Sequence, residues 1–240
     1  MGTSVSLHLA DDFDHESLIQ LADEAFSWLR LVEQRFSPYQ PGSEVSRLRR
    51  DEMCLAECSS EVRAVIDRCA QLWAMTDGYF DAYATGALDP SGFVKGWAVQ
   101  VASDRLLAAG CANHCINAGS DVRMRGRPVP GQPWRVGIRH PQQGVGPSWI
   151  VSGTDIAVAT SGIYERGCRV VNPHEGRPSM ELQSVTVVGA DLGLADAYAT
   201  AGAAMGMPAL TWLAGLPDHE AAVITEDARC FRSDGLPTID

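Results

Sequence analysis

The sequence predicts an α+β fold, with a mostly antiparallel sheet flanked by helices, and three observations carry that expectation. Long amphipathic helical patterns dominate the first half of the chain. Short apolar strand patterns separated by Gly, Pro, Asn and Asp dominate the second. Strands and helices do not alternate regularly as they would in a parallel βαβ sheet. No internal repeat or linker interrupts the pattern, so residues 1–240 are expected to form a single domain.

The elements follow in order. Ser4 to Leu9 alternates polar and apolar residues, the signature of a half-buried strand. Leu18, Leu21, Ala22, Ala25, Leu29 and Val32 recur at helical spacing and predict a helix over 16–34, with Trp28 widening its apolar stripe. Pro38, Pro41 and Gly42 mark a loop, and a short helix restarts near Ser43–Leu48. A second long helix is expected over 60–76, ending at Asp77-Gly78. A third, over 94–109, is closed by Gly110. Strands are expected near 115–119, 134–138, 156–159 and 182–188, then helices over 194–205 and 209–213. Strands near 222–225 and 229–231 complete the chain.

Composition narrows the function. With 45% hydrophobic and 20% charged residues, the chain has the make-up of a globular protein. A net charge of −11 disfavours a nucleic-acid partner, because a polyanion would be repelled. An anionic ligand would need local donors, a helix N-terminus or a metal. The opening Met1-Gly2-Thr3-Ser4 lacks a basic region followed by a long apolar run, and no stretch reaches membrane-spanning length. No membrane anchor is therefore expected. Seven cysteines, an odd number, point to a reducing compartment and a cytoplasmic protein. The Cys54/Cys58 and Cys111/Cys115 pairs do not have the usual zinc spacing, and the default reading is buried small hydrophobes. A dinucleotide-fold glycine fingerprint, a Walker motif, a Gly-x-Ser-x-Gly elbow and a His-Glu-x-x-His helix are all absent from the sequence.

Several stretches carry chemistry. Asp89-Pro90-Ser91-Gly92-Phe93-Val94-Lys95-Gly96 puts a carboxylate, a flexible backbone and a cation beside a helix start, where phosphates bind readily. The same residues also make an ordinary turn. Asp196 and Thr200 are four apart on a predicted helix, so their oxygens share a face suited to a small hard cation. Alternatively, Asp196 caps that helix or sits in its first turn. Asn117-Ala118-Gly119-Ser120-Asp121 and Thr160-Ser161-Gly162 each follow a strand and suit either close approach to a ligand or a plain turn.

Taken together, these stretches resemble the ApbE family, the FAD:protein FMN transferases. Thr76–Asp81 is similar to the family's TDGxFD, Asp89–Gly96 to DPSGxxKG and Asn117–Asp121 to NAGGD. Ala159–Arg166 is similar to ATSGxYER and Ala195–Ala201 to ADAxATA, all in the family's order. Met1-Gly2-Thr3, and the loop from Arg35-Phe36-Ser37 to Leu48, also resemble family segments. The resemblance implies FAD as substrate, with Mg2+ against its diphosphate. It implies Asp196 and Thr200 side-chain oxygens, and Gly92 and Ala199 carbonyls, as metal ligands. It further implies Met1, Tyr39, Asp89, Lys95, Asn117, Ala118, Gly119, Thr160 and Ser161 as contacts to the flavin nucleotide. The partner is an acceptor flavoprotein, whose Thr or Ser hydroxyl takes FMN while AMP leaves.

One segment departs from the family. Its HxxDPxTG stretch is here Arg169-Val170-Val171-Asn172-Pro173-His174-Glu175-Gly176. The family histidine is replaced by Arg169, which stays protonated near neutral pH and suits a phosphate clamp better than a base. His174 and Glu175 are the alternative candidates for proton transfer. The stretch between Phe80 and Asp89 is also shorter than in many relatives.

Overall fold

In the computed structural model, residues 3–141, 146–162 and 170–239 are described. Elements are numbered over those residues: β1 (Val5–Leu9), α1 (His15–Phe36), α2 (Glu44–Arg49), α3 (Ser60–Met75) and α4 (Ser91–Ala108). Then come β2 (His114–Ala118), β3 (Asp121–Arg125), β4 (Trp134–Arg139), β5 (Pro147–Gly153) and β6 (Ile156–Gly162). Next are β7 (Val171–Asn172), β8 (Arg177–Pro178), β9 (Leu182–Gly189), α5 (Leu192–Met205) and α6 (Ala209–Ala214). Last are β10 (Glu220–Thr225), β11 (Cys230–Arg232) and β12 (Thr238–Ile239).

The helices start where side chains satisfy their first N–H groups. Asp14 accepts from Ser17 N at the head of α1, and Ser59 from Val62 N at the head of α3. α4 begins three residues earlier than its apolar pattern predicts. Pro90 is its N-cap residue, and Ser91 and Gly92 form its first turn. α5 is apolar almost all round, as a helix enclosed on every side must be. Its N-cap is Asp191, which accepts from Leu194 N at 2.8 Å. Asp196 therefore lies beyond the first turn and is not a capping residue.

The main sheet has seven strands in the order β1-β2-β3-β6-β9-β10-β11, every neighbouring pair antiparallel. A second sheet, β12-β5-β4, is antiparallel too, and β7 pairs with β8 alone. Alternation along each strand splits the core between the two faces of the large sheet. Ile116, Ala157, Ala159, Val185, Val187 and Val223 face the helices. Val122, Met124, Val158 and Val188 face the small sheet, where they meet Trp134, Ile138 and Val151. Each large side chain buried this way contributes about 1.5–3 kcal/mol relative to exposure.

α4 and α5 cross at very short range on the helix side. A Cβ added to Gly96 would come within 2.4 Å of Leu192 O and 2.8 Å of Asp196 Cβ. Only glycine lets the two backbones approach this closely. α1 then covers α4, with Trp28 Nε1 donating to Ala98 O (2.9 Å) and Arg105 lying over the Trp28 ring. Among the described residues no helix is long and apolar enough to cross a membrane.

Candidate functional site

The α4–α5 crossing opens at one end into a cleft of about 560 Å³. Its walls come from the end of α1 and the loop to Tyr39, Tyr79 to Ala82 after α3, the start of α4, the end of β6 and the middle of α5. Val170 and Val171 close the remaining side. Helical spacing brings Asp196 and Thr200 to the cleft together, as their four-residue separation predicts. Gly92 sits directly opposite: a Cβ there would lie 3.1 Å from the Thr200 hydroxyl oxygen. Ser161 completes the corner, its Oγ 3.1 Å from Thr200 Oγ1.

Asp196 is buried, at 2% exposure. Gly96 N, the donor that a regular helix aims at the Gly92 carbonyl, donates to Asp196 Oδ2 at 3.0 Å. Burial pushes the Asp196 carboxyl well above the usual range, and the neighbouring Asp121 carboxylate adds to the rise. The Lys95 ammonium and the Gly96 N–H pull in the opposite direction.

Lys95 lines the cleft, but its ammonium is engaged within the protein. Nζ lies 3.0 Å from Asp121 Oδ1 and donates to Ser120 Oγ at 2.9 Å, and Ser120 Oγ donates in turn to Asp121 Oδ1 at 3.1 Å. Asp121 was not singled out from the sequence, although it closes the NAGSD stretch. β2 and β3 form a hairpin in which Ala118 pairs with Asp121 across a two-residue turn. Gly119, at φ 74, occupies the first turn position, where a left-handed backbone is needed. The reversal delivers Asp121 to the helix side of the sheet, fully buried, with Oδ2 lacking a hydrogen-bond partner among the described residues. The signal available in the sequence was an acid one residue past a Gly-Ser turn between two strands.

Other expected contacts are placed differently. Asn117, Ala118 and Gly119 belong to this hairpin and do not line the cleft, and Gly119 packs against the Thr3 hydroxyl instead. Thr160 alternates with Ser161, so its side chain points through the other face of the sheet and bonds Thr186 Oγ1 at 2.8 Å. Asp89 lines the cleft while its Oδ1 accepts from Ser91 N at 3.1 Å. Tyr39 stands at the cleft mouth, 88% exposed. Ala199 is buried within α5 and is not part of the lining, and its carbonyl belongs to the helical ladder. Met1 and Arg169 lie outside the described residues.

His174 and Glu175 are exposed and outside the cleft lining. His174 Nε2 lies 2.9 Å from Asp77 O, and Glu175 Oε2 accepts from Arg177 Nε at 2.7 Å. Neither side chain is placed as a base in the cleft: His174 is held by Asp77 in the turn after α3, and Glu175 by Arg177.

The donor set nevertheless fits a small hard cation. Asp196 and Thr200 offer oxygen ligands, and the Gly92 backbone lies against them. Nearby, Asp121 Oδ2 is a buried oxygen without a hydrogen-bond partner among the described residues, although its carboxylate is paired with Lys95. No cluster of three or more His, Cys, Asp or Glu side chains gathers anywhere among the described residues, so the set here relies on hydroxyl and backbone oxygens beside Asp196. Of the four cysteines read as buried small hydrophobes, Cys58 and Cys111 are buried and Cys115 is half-buried, whereas Cys54 is exposed. Burial raises Cys69 and Cys111 to about 12 and Cys115 to about 11, far from thiolate chemistry.

Comparison with known proteins agrees with the motifs. The sequence profile of the ApbE family matches residues 1–86 and 82–224. A FAD:protein FMN transferase of Vibrio cholerae serotype O1 is 34% identical over 131 residues, which is 50% of this chain and 39% of that protein. One of Rhodobacter capsulatus is 36% identical over 127 residues, 48% of this chain and 23% of that protein. The match thus spans less than half the length of these curated relatives. In structure, the flavin transferase ApbE from Vibrio cholerae superposes with a TM-score of 0.84 at 23% identity, covering 100% of this chain and 96% of that one. The ApbE protein of Thermotoga maritima gives a TM-score of 0.84 at 21% identity, covering 97% of this chain and 94% of that one. At those identities the superpositions speak for the fold, and the profile match speaks for descent: the chain belongs to the ApbE family.

Proposed function

We propose that residues 1–240 act as one Mg2+-dependent FAD:protein FMN transferase unit. It moves FMN from FAD to a Thr or Ser of an acceptor flavoprotein and releases AMP. The observation that carries this reading is the meeting of Asp196, Thr200, Gly92 and Asp89 in one cleft. Support comes from curated relatives of that name matching about half of the chain.

In the reaction, the acceptor hydroxyl oxygen forms a bond to the phosphorus of the FMN half. The bond from that phosphorus to the bridging oxygen breaks, AMP leaves with that oxygen, and the hydroxyl proton passes to water. Asp196 and Thr200, with the Gly92 carbonyl, would hold the cation. When bound, the cation supplies charge neutralisation at the phosphoryl oxygens. Lys95 keeps Asp121 paired behind the ligand carboxylate, so that the acidic pocket is not left with uncompensated charge. Ser161 orients the Thr200 hydroxyl. Asp89 holds the first turn of α4 open toward the cleft. Arg169 is assigned to the phosphates on chemical grounds, since a guanidinium does not accept a proton near neutral pH. A cytoplasmic setting accords with the free thiols of Cys54, Cys58, Cys69, Cys111, Cys115 and Cys230.

Incubation with FAD, Mg2+ and a Thr-bearing flavoprotein acceptor is expected to leave covalent flavin fluorescence on the acceptor, with one AMP released per flavin attached. FAD binding without transfer to any acceptor would favour a second reading, motivated by the substitutions at Arg169, Asn172 and Glu175. In that reading the chain binds flavin without transfer, or hydrolyses FAD to FMN and AMP with water as acceptor. AMP release without a protein acceptor identifies the hydrolase. Arg169→His separates an impaired transferase, which gains transfer, from a protein that has left this chemistry, which does not.

A further inference from the structure

Two turns distant in sequence meet beside the cleft, and one side chain joins them. The first follows α3. Thr76 Oγ1 donates to Leu72 O at 2.8 Å and accepts from Phe80 N at 2.9 Å, while Asp77 and Gly78 take left-handed backbones at φ 51 and φ 80. An aspartate in that region persists only where its surroundings hold it. The second is the turn between β7 and β8. There Asn172 Oδ1 accepts from His174 N at 3.0 Å, and Asn172 O accepts from Gly176 N at 2.9 Å.

His174 bridges the two. Its Nε2 lies 2.9 Å from Asp77 O, and a carbonyl oxygen can only accept, so Nε2 carries the proton. Its ring meets Tyr79 edge-on at 4.5 Å between centroids. It also covers Gly78 so closely that a Cβ there would sit 3.4 Å from the imidazole. Both turns run directly into cleft walls: Tyr79 and Phe80 on one side, Val170 and Val171 on the other.

We propose that His174 is a positioning residue, a latch that holds the β7–β8 turn on the Asp77–Tyr79 turn and so fixes the spacing of those two walls. The proposal rests on the reading of the cleft as the flavin-nucleotide site. It gives His174 a place in the reaction different from that of a base: Nε2 is committed to Asp77, and the ring lies behind Tyr79, outside the cleft.

The test uses the full chain with His174→Ala and His174→Gln. Hydrogen exchange is read without ligand at the amides of Gly78, Tyr79, Gly176 and Ser179, each hydrogen-bonded within its own turn. In His174→Ala, exchange is expected to quicken at both turns together. Unchanged exchange, or a change confined to residues 172–179, overturns the latch. FAD titration of the same variants is expected to show binding weakened roughly tenfold for alanine, the loss of one hydrogen bond and one aromatic contact. Glutamine, whose amide can still donate to Asp77 O, is expected to recover part of that loss. In turnover, KM for FAD rises more than kcat falls. Wild-type FAD affinity with lost turnover would make His174 a chemical group and overturn the proposal. If the parent protein binds no FAD, the functional reading fails, while the exchange measurement still decides the latch.

Discussion

The α4–α5 crossing and the β7–β8 segment border the same cleft and are built in opposite ways. At the crossing, glycine contact brings two long helices together, Asp196 is enclosed, and Lys95, Ser120 and Asp121 tie in the neighbouring hairpin. β7 and β8 are two residues each, pair only with one another, and carry exposed side chains from His174 to Pro178. A region fixed by backbone contact tolerates almost no change of residue. One fixed by a few side-chain bonds can change residues while keeping its course. That is where the motif resemblance lapses: Asn172 and Glu175 stand in place of the residues of the resembled motif, while its Pro173 and Gly176 frame stays.

The comparison can be broken most directly at Gly96. Gly96→Ala places a methyl against Leu192 O and Asp196 Cβ, and neither can move far. Urea unfolding should show a loss of about 1–3 kcal/mol or more, and a wild-type midpoint would mean the crossing is looser than it looks. Next comes Asp196→Asn, which keeps size and removes charge. Mn2+ binding, followed by its electron paramagnetic resonance signal, should weaken by on the order of 100-fold. Equal Mn2+ affinity in the variant would remove Asp196 from the ligand set.

A smaller effect reads the packing behind the crossing. His114 is fully buried, with Nδ1 at 2.8 Å from Cys111 O and Nε2 at 2.7 Å from Ser103 Oγ. Burial pulls its pKa down from 6.5, and Arg125 and Arg123 pull the same way, while the Cys111 carbonyl and Asp11 oppose them. A depressed histidine contributes stability that is complete above its unfolded value and is lost as pH falls through the folded one. Denaturation midpoints should therefore drop as pH falls below about 6.5, and His114→Gln should flatten that part of the profile. An unchanged slope would assign the acid sensitivity to other groups. The smallest effect belongs to the exposed turn: Glu175→Ala breaks a solvated pair with Arg177 and should cost about 0–1 kcal/mol, with FAD affinity unaltered. A marked loss of FAD affinity would bring Glu175 into the site.

Much of this division was legible in the sequence, for reasons particular residues make clear. α1 and α3 were located within one or two residues, because Asp14 and Ser59 cap apolar faces of helical period. Asp196 and Thr200 were brought together by the helix period alone. β3 escaped because Asp121 and Arg123 are charged yet buried, so Asp-Val-Arg-Met-Arg has the outward look of a solvated strand. β5 escaped because it opens on a proline and mixes apolar and polar residues on both faces. α4 was begun too late because Ser91-Gly92 has turn chemistry and helix chemistry at once. Thr160 and Ser161 looked equivalent in a linear motif, and only the strand's two-residue period separates them to opposite faces.

The Gly119–Ser120 reversal sets a rule for how this hairpin can diverge. Because successive strand residues point to opposite faces, one inserted or deleted residue in the turn would carry Asp121 to the side of Val122 and Met124. Lys95 would then face Val122 or an inserted residue in the place of Asp121, with no carboxylate to meet it. Substitution at Ser120 costs two hydroxyl contacts, whereas a change of length removes the carboxylate beneath the cleft. Descendants of this sequence can vary Ser120 but are held to Gly119 and to the length of the turn.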